Sequence, residues 1–307
     1  MLQSSNIMSS FQQRNIIELS PEQFPPLLRE INDPPKKLWL EGQLPNEDYI
    51  YLTIVGSRRH SRYGQEAAEK LIAALEGYPI AIVSGLAIGL DAVAHEAALA
   101  AGLPTVAVPG SGLDRAVLHP PSNHQLADKI VAAGGALLSE LAPRASAGVH
   151  TFPRRNRIMA GLAKAVLIIE ASEKSGTLIT ARLALDYNRE VLAVPGSIFA
   201  PVAFGPNQLI RQGATPITTG DELLSALGFE PAAAGETITS DKLSPLEQLV
   251  IELLTFEPQP RDELIRQLKL PPSEVNPLLA VMEIKGLIRE SLGEIEIVAS
   301  VAKKSVS

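Results

Sequence analysis

Short aliphatic runs alternate with helical patterns through the middle of this 307-residue chain. Continuous apolar runs of about four to eight residues are typical of strands buried on both faces of a parallel sheet. The alternation therefore predicts an α/β fold in which helices cover such a sheet. The predicted strands are residues 50–55, 80–84, 104–108, 136–139, 165–169 and 191–194, and the predicted helices are 64–75, 89–101, 123–133, 156–163, 177–188 and 220–227.

The N-terminal residues have a different pattern. Residues 1–18 are polar and aperiodic, which predicts disorder. Prolines bracket small apolar clusters over residues 24–40, and this pattern predicts an ordered arm laid on the main domain. We therefore expect a tail and extended arm over residues 1–46, followed by a Rossmann-like domain over residues 47–227.

The C-terminal part predicts a linker and a second, smaller domain. Residues 228–243 combine Pro, Gly and an alanine run without apolar periodicity, as linkers do. A capping box opens the next helix at Ser244 and Glu247. Two more helical patterns and a hairpin across Gly293 complete a small winged helix over residues 244–300.

Composition limits the classes of protein. The chain contains no cysteine, which excludes disulfides and cysteine-containing zinc sites. No apolar stretch reaches the roughly 18 residues that a membrane span needs, and the N-terminus lacks a signal-peptide pattern, so we expect a cytoplasmic protein. The formal net charge of −7 means that any nucleic-acid-binding face must be local.

Loops rich in small residues follow the predicted strands. In an open parallel sheet these loops share one edge, where backbone N–H groups at helix N-termini suit an anion such as phosphate. The pattern predicts a phosphate-binding edge, although glycine turns also serve simply to connect strands to helices. The first loop is not G-x-G-x-x-G, which disfavours a dinucleotide. The loops contain Gly56, Ser57 and Arg58; Ser84 and Gly85; residues 109–112; Ser175, Gly176 and Thr177; and residues 195–197.

Two acid-free basic runs indicate what kind of phosphate is bound. Arg58, Arg59 and Arg62 lie between residues 49 and 65, and Arg154, Arg155, Arg157 and Lys164 lie between Glu140 and Glu170. If both runs border one edge, several guanidinium groups meet several phosphates, which favours a polyanion over a mononucleotide. A solvated charged face is the alternative. Phe152 fits either a base-stacking surface or a loop anchor in the core.

Candidate catalytic and metal-binding groups are few. His95 with Asp91, and His119 with His124, do not form a recognisable ligand set, so we predict no metal or cofactor. Glu170 stands at a strand end, where it fits a general base, a helix cap or an ion-pair partner of the arginines. No pattern near it in the sequence indicates a nucleophile or a partner acid, which favours the structural roles.

At these residues the sequence resembles the DNA-processing protein A family, DprA or Smf. Seven motifs occur in family order over residues 24–227, and the winged helix also fits more weakly. They are VGSR at 55–58, SGLAIGLDAVAHEAAL at 84–99, PGSGLDRAVLHPPSNHQL at 109–126, FPRRNR at 152–157, SGTLITARLAL at 175–185, VPGSI at 194–198 and GPNQLIRQGA at 205–214.

The resemblance implies a cytoplasmic protein that binds and protects single-stranded DNA and helps to load a RecA-type recombinase in natural transformation. It implies a homodimer through the Rossmann-like domain and no catalytic activity. Its DNA contacts fall on Gly56, Ser57, Arg58, Phe152, Arg155, Asn156 and Gly176. With the residues chosen from the loops and basic runs, the full candidate set is Gly56, Ser57, Arg58, Ser84, Gly85, Phe152, Arg154, Arg155, Asn156, Arg157, Lys164, Ser175, Gly176 and Thr177.

The chain departs from the family at two places. Many relatives begin with a helical domain resembling a sterile-alpha-motif fold, for which the N-terminus here is too short. His119-Pro120 stands where the family usually has Tyr-Pro.

An enzyme is the competing interpretation. The sheet edge also resembles the nucleotide phosphoribohydrolases of the lysine-decarboxylase-like group, through Arg157-Ile158-Met159 and Gly176-Thr177. Their catalytic carboxylate position holds Thr180 here, and a hydroxyl cannot serve as the general acid or charge stabiliser that glycosidic cleavage needs. We therefore expect no enzymatic activity.

The charge of the predicted winged helix argues against duplex binding. From Asp241 to the end there are 11 acidic residues against 8 Lys plus Arg. A DNA-reading helix is normally basic, so a protein contact is the better prediction.

Overall fold

The structure is a computed structural model that describes residues 15–229, 243–255, 258–285, 287–291 and 293–297. The chain divides into two units, residues 1–229 and residues 230–307. Residues 1–14 of the segment predicted to be disordered, and residues 230–242 of the linker predicted over 228–243, lie outside the described residues.

The first unit alternates strands and helices, as the hydrophobic pattern predicts. Its elements are β1 (Ile16–Leu19), α1 (Pro26–Arg29), β2 (Leu38–Gly42), β3 (Ile50–Val55), α2 (Arg62–Ala73), β4 (Ile80–Ser84), α3 (Leu90–Ala100), β5 (Thr105–Ala107), α4 (His124–Ala132), β6 (Ala136–Ser139), α5 (Thr151–Leu162), β7 (Ala165–Ile168), α6 (Thr177–Asp186), β8 (Glu190–Ala193), α7 (Phe204–Arg211), β9 (Thr215–Pro216) and α8 (Gly220–Ala226).

The described strands of this unit form one sheet in the order β1-β2-β6-β5-β4-β3-β7-β8-β9. Neighbours from β6 to β9 pair in parallel, whereas β2 pairs with β6 in antiparallel fashion. The six predicted strands correspond to β3 to β8 within one residue at each end, which confirms the Rossmann-like α/β class. After β3 the chain builds the sheet outward on one side, and at β7 it returns to the other side of β3.

Alternate strand residues build a core on each face of the sheet. Leu52 and Ile54 of β3, with Leu167 of β7, pack in the cluster that contains α2, α3 and α8. Val166 and Ile168 of β7 belong to the opposite cluster, with residues of α1, α5 and α6. This two-faced burial explains why the strands read as continuous aliphatic runs rather than as alternating ones.

The N-terminal arm is part of the sheet, which corrects two expectations. The arm was predicted to lie on the domain, but β2 pairs with β6, and β1 extends the same edge. Residues 16–18 (Ile-Ile-Glu) end the stretch that was predicted to be disordered, yet they belong to β1, because their backbone pairs with β2 and the adjacent Leu19 is buried. Leu28 of α1 is completely buried in the core under α5.

The second unit has the predicted winged-helix arrangement. Three helices, α9 (Pro245–Leu254), α10 (Arg261–Leu268) and α11 (Pro272–Ile284), enclose a core that includes Val250, Leu264 and Leu279. A small sheet runs in the order β10 (Gln259–Pro260), β12 (Glu294–Ile297), β11 (Ile288–Ser291). Gly293 has φ +85° at the turn of the hairpin.

Candidate nucleic-acid interface

A groove opens at the point where the sheet changes winding direction, between the carboxyl ends of β3 and β7. In open α/β sheets the two loops diverge at this point and leave a crevice for ligands. The groove has a volume of about 500 Å³. It is lined by residues 55–59, Ala87, Asp91, Phe152, Pro153, Arg155, Asn156, Met159, Ser172, residues 175–177, Ile179, Thr180 and Val202.

The loop after β3 forms one wall because its backbone lies against α3. A Cβ at Gly56 would collide with Leu90, so only glycine allows this approach. The Leu90 N–H donates to the Ser57 carbonyl at 3.2 Å, and the Ser57 hydroxyl accepts from the Arg59 N–H at 3.0 Å. These bonds hold the backbone that carries Arg58 in a fixed position.

The Ser175-Gly176-Thr177 turn forms the opposite wall and begins α6. The Thr177 hydroxyl donates to the Gly56 carbonyl at 3.2 Å and so ties the two walls together. The Ser175 hydroxyl accepts from the Thr177 N–H at 3.2 Å, and the Asn156 amide donates to the Gly176 carbonyl at 3.4 Å. No atom lies within 4 Å of a Cβ built on Gly176, so the helix N-terminus is open to a ligand.

Phe152 presents an aromatic ring beside these walls. Its ring packs on Gly110, where a Cβ would approach within about 2.5 Å, and it meets His119 edge to face at 5.8 Å between ring centroids. The Arg58 guanidinium carbon lies 5.3 Å from the centroid of the Phe152 ring. Phe152 is half-buried. Gly110 and His119 thus anchor the ring, which lines the groove next to Arg58.

Arg155 and Asp91 lie together beneath the groove and are nearly inaccessible to solvent. The Arg155 guanidinium donates to the Val108 carbonyl, and a Cβ at Gly85 would collide with both Arg155 and Asp91. Burial raises the pKa of Asp91, against the opposing effect of the Arg155 charge. Burial also lowers the pKa of Arg155 to about 10, which leaves it protonated at neutral pH.

Ser84 and Gly85 support the floor of the groove. Ser84 is fully buried and donates to the Ile54 carbonyl at 2.7 Å, and neither residue lines the groove. The prediction that they contact the ligand therefore does not agree with the structure.

Three predicted cations are engaged elsewhere. Arg154 is exposed at the rim and pairs with Glu140 at 2.8 Å. Arg157 is buried, pairs with Glu140 at 2.7 Å and donates to the Asp33 carbonyl of the arm. Lys164 precedes β7, at the amino edge of the sheet, and its ammonium donates to the Leu227 carbonyl at 2.7 Å. The structure therefore corrects the predicted location of Arg157 and Lys164, since neither side chain reaches the groove.

Arg58 and Arg59 are the exposed cations of the groove. Within the described ranges, no carboxylate lies within 4 Å of either guanidinium group. Arg59 was predicted only as part of a basic run, and Asp91 only as a structural helix residue. The position of each residue in the sequence could have indicated that it lines the groove. Arg59 directly follows the first loop, and Asp91 follows the loop after β4.

The groove offers no catalytic carboxylate pair. Among its described lining residues, Asp91 is the one acid, and it lies beside Arg155. Glu170 accepts hydrogen bonds from the Ser61 N–H at 2.9 Å and from the Ser61 hydroxyl, and Ser61 in turn caps α2. Thr180 is buried. Of the three roles predicted for Glu170, the geometry favours a structural one at the start of α2 over that of a general base.

Metal and membrane sites are not indicated. Within the described ranges, no three His, Asp or Glu side chains gather as metal ligands would. None of the described helices combines the length and apolar character that a bilayer span requires.

The described cations of the second unit are mostly paired. Arg261 pairs with Glu290, and Arg266 pairs with Glu263 at 2.7 Å. Lys285 pairs with Glu247 at 2.7 Å, and Arg289 pairs with Glu296 at 2.5 Å. This pairing leaves little positive charge for a DNA backbone, in line with the prediction of a protein contact.

Two family models match the chain. The model for DNA recombination-mediator protein A matches residues 15–228, and the model for the DprA winged helix domain matches residues 235–294. Protein Smf of Escherichia coli K12 is 38% identical over 281 residues, which cover 89% of this chain and 75% of the relative.

Two solved structures share the fold. The X-ray structure of DNA processing protein A from Streptococcus pneumoniae is 39% identical with a TM-score of 0.63, covering 70% of this chain and 75% of that one. The structure of DNA processing protein A from Helicobacter pylori, which concerns its single-stranded DNA binding mode, is 28% identical with a TM-score of 0.61. It covers 70% of this chain and 96% of that one.

The buried His95 under the groove predicts a pH-dependent stability. Burial, and then the Arg155 charge, lower the pKa of His95 to about 3, from an ordinary value near 6.5. On acidification the His95 side chain binds a proton in the unfolded chain but not in the folded chain. The free energy of unfolding therefore falls as the pH drops below about 6.5. At pH 5 this group alone should cost about 2 kcal/mol relative to neutral pH.

Urea unfolding of the wild type and of His95→Gln between pH 7 and pH 5 measures this effect. Because burial raises the pKa of Asp91, protonation of this group favours the folded chain on acidification, which is the opposite of the His95 effect. Asp91 is present in both proteins, so the difference between their stability profiles isolates His95. The variant should lose less stability than the wild type on acidification. Parallel pH profiles would contradict the assignment.

Proposed function

This chain belongs to the DNA recombination-mediator protein A family, and from that premise we propose that it binds single-stranded DNA in the groove between β3 and β7. The observation that carries the proposal is the Arg58–Phe152 contact beside the open N-terminus of α6. An exposed cation, an aromatic ring and the positive end of a helix dipole meet there. They match the phosphates and bases of a single strand.

A single strand fits this site better than a duplex does. Phe152 lies half-buried at the wall of the groove, where only an unstacked base reaches its ring. Arg58 lies over that ring and holds a phosphate of the same nucleotide or of the next one. Duplex DNA hides its base faces in the stack and offers only phosphates to such a surface.

The candidate residues now divide by role. Gly56, Ser57, Arg58, Phe152, Asn156, Ser175, Gly176 and Thr177 contact the strand, and Arg59 joins them. Arg155 supplies positive charge from below, and Arg154 lies at the rim. Ser84, Gly85, Arg157 and Lys164 hold the elements in place.

The finer part of the proposal concerns partners. We infer that the protein acts in the cytoplasm as a homodimer through its first unit and loads a RecA-type recombinase onto the strand in natural transformation. The recombination-mediator family supports this role. The phosphoribohydrolase alternative has no comparable support, because the groove lacks a free catalytic carboxylate among the described residues.

Removing the Arg58 guanidinium should weaken binding and reduce its salt dependence. Arg58→Ala loses one phosphate contact, which predicts an affinity for oligothymidylate about 10- to 100-fold lower. The slope of log K against log salt should become less steep by about 0.7. Fluorescence anisotropy across a salt series measures both quantities for oligothymidylate and for a matched duplex.

Arg29→Ala is the matched control, since Arg29 is exposed on α1 away from the groove. It should leave affinity and slope unchanged. Equal binding of duplex and single strand, or an unchanged slope in Arg58→Ala, would refute the site.

Gly176→Ala should separate binding from folding. The new methyl group meets no protein atom within 4 Å, so the free energy of unfolding should change by at most about 1 kcal/mol. The methyl group lies in the path of a phosphate that approaches the helix N-terminus, so affinity should fall about tenfold. Gly56→Ala is the contrast, because its Cβ collides with Leu90 and lowers both stability and binding. Unchanged affinity in Gly176→Ala would mean that the strand does not approach this turn.

Recombinase loading has its own test. With oligonucleotide pre-coated by a single-strand-binding protein, the wild type should shorten the lag before a RecA-type recombinase hydrolyses ATP. Arg58→Ala should not shorten it, because it cannot hold the strand. A lag that the wild type leaves unchanged would contradict the loading role while leaving DNA binding intact.

A further inference from the structure

A second recess on the same edge of the sheet lies beside the groove. It has a volume of about 520 Å³ and is called here the β8 recess. It is lined by Ser61, Tyr63, Ile169, Glu170, Val194, Pro195, Gly196, Ser197, Ala200 and Ala203. The loop after β8 projects Ile198 and Phe199 beyond it, with 85% and 89% of their surfaces exposed.

The β8 recess and the groove share two walls. Along the first, Arg59 lines the groove, and Ser61 and Tyr63, just beyond it in sequence, line the recess. Along the second, Val202 lines the groove, and Ala200 and Ala203 line the recess. The Val202 carbonyl accepts from the Ala171 N–H at 2.7 Å, which joins the loop after β8 to the loop after β7. A polymer that leaves the groove along Arg59 therefore arrives at the recess.

Hydrogen bonds hold Tyr63 and the backbone of the loop that carries Phe199 in place. Tyr63 is half exposed, and its hydroxyl donates to the Pro195 carbonyl at 2.7 Å. The Asn207 amide bonds to both the N–H and the carbonyl of Gly196, at 3.2 Å and 2.9 Å, and so braces the start of the loop. The Ala200 N–H donates to the Ser197 carbonyl at 3.0 Å and closes the turn around Phe199. A fixed loop loses little conformational entropy when a ligand covers it.

Charge favours an anionic ligand along this path. Arg59 is exposed, and Arg62 pairs with Glu66 across one helical turn, a solvent-exposed contact that contributes little. Glu170 is the one acid among the described lining residues of the recess, and hydrogen bonds from Ser61 occupy its carboxylate. The recess thus has an aromatic and apolar interior beside a cationic rim, the combination that single-strand-binding surfaces use.

We propose that the β8 recess, with Tyr63 and Phe199, is a second base-stacking subsite that extends the path of single-stranded DNA beyond the Arg58–Phe152 groove. The inference rests on the proposed function, because the strand must first occupy the groove. Phosphates follow Arg59 and Arg62, and a base farther along the strand stacks on the Phe199 ring. Binding is then sequence-tolerant at both subsites, since every base has a face to stack.

Oligonucleotide length tests this subsite. Anisotropy compares labelled oligothymidylates of about 4 and about 16 nucleotides, lengths that bracket the footprints of single-strand-binding domains. Phe199→Ala should lower the affinity for the long strand about 5- to 100-fold, the value of one stacked base, and leave the short strand unaffected. Ile17→Ala, which removes an exposed apolar side chain from β1, is the control and should change neither affinity.

Phe199→Leu distinguishes a base from a protein partner. Leucine keeps the apolar surface but has no aromatic face, so the variant should bind the long strand as weakly as Phe199→Ala does. Recovery of affinity in Phe199→Leu, equal losses on both lengths, or a shift in sedimentation of Phe199→Ala from dimer to monomer would overturn the subsite. The last result would assign the loop to an interface between two copies of this chain.

Arg58→Ala keeps the two proposals separate. It should weaken binding of both lengths, because the groove holds either strand. If Arg58→Ala weakens binding of both lengths while Phe199→Ala binds both normally, the proposal of a second subsite is wrong and the proposal of the groove is supported. If Arg58→Ala changes neither length, or if the wild type binds neither strand, the groove itself fails, and the second subsite fails with it.

Discussion

The burial of Arg155 close to Asp91, beside Gly85, is the constraint on which the binding edge depends. Arg155 comes from α5 and Asp91 from α3, helices that cover opposite faces of the sheet, and the two side chains meet at the carboxyl ends of the strands. Burying two charged groups costs free energy, and their opposite charges, held close together, offset part of that cost. The pair joins the two helical layers at the point where the loops must diverge. Gly85 is required there because any side chain would displace it.

The burial of Arg155 beside Asp91 also explains how the groove can be both positively charged and well ordered. Arg155 remains protonated, yet burial and its hydrogen bond to the Val108 carbonyl fix it in place, so it cannot swing out as a flexible clamp. The exposed cations are Arg58 and Arg59, on a loop whose backbone is tied to α3 and to Thr177. Positive charge is thus concentrated at one edge of a chain whose formal net charge is −7.

The sequence predicted the parallel strands and the edge where the loops gather, because burial on two faces and small residues at strand ends are local patterns. It did not predict which arginines reach solvent. Arg157 pairs with Glu140 and Asp33, 17 and 124 positions away, and Lys164 bonds to Leu227, 63 positions away. Such partners depend on tertiary structure. The start of α5 was missed for a related reason: the helix begins at Thr151, whose hydroxyl donates to the Gly110 carbonyl at 2.6 Å, rather than near Asn156.

The groups that face the groove also determine how selective binding can be. Reading a base edge requires donors and acceptors in fixed pairs, as an amide or a bidentate arginine provides. Here the Asn156 amide already donates to Gly176, and Arg155 is held below the surface. In the proposed site a strand would meet exposed arginines, the N-terminus of α6 and an aromatic ring, which recognise features common to every nucleotide. We therefore expect binding there to be sequence-tolerant, which suits a recombination mediator, since such a protein must accept any strand that it receives.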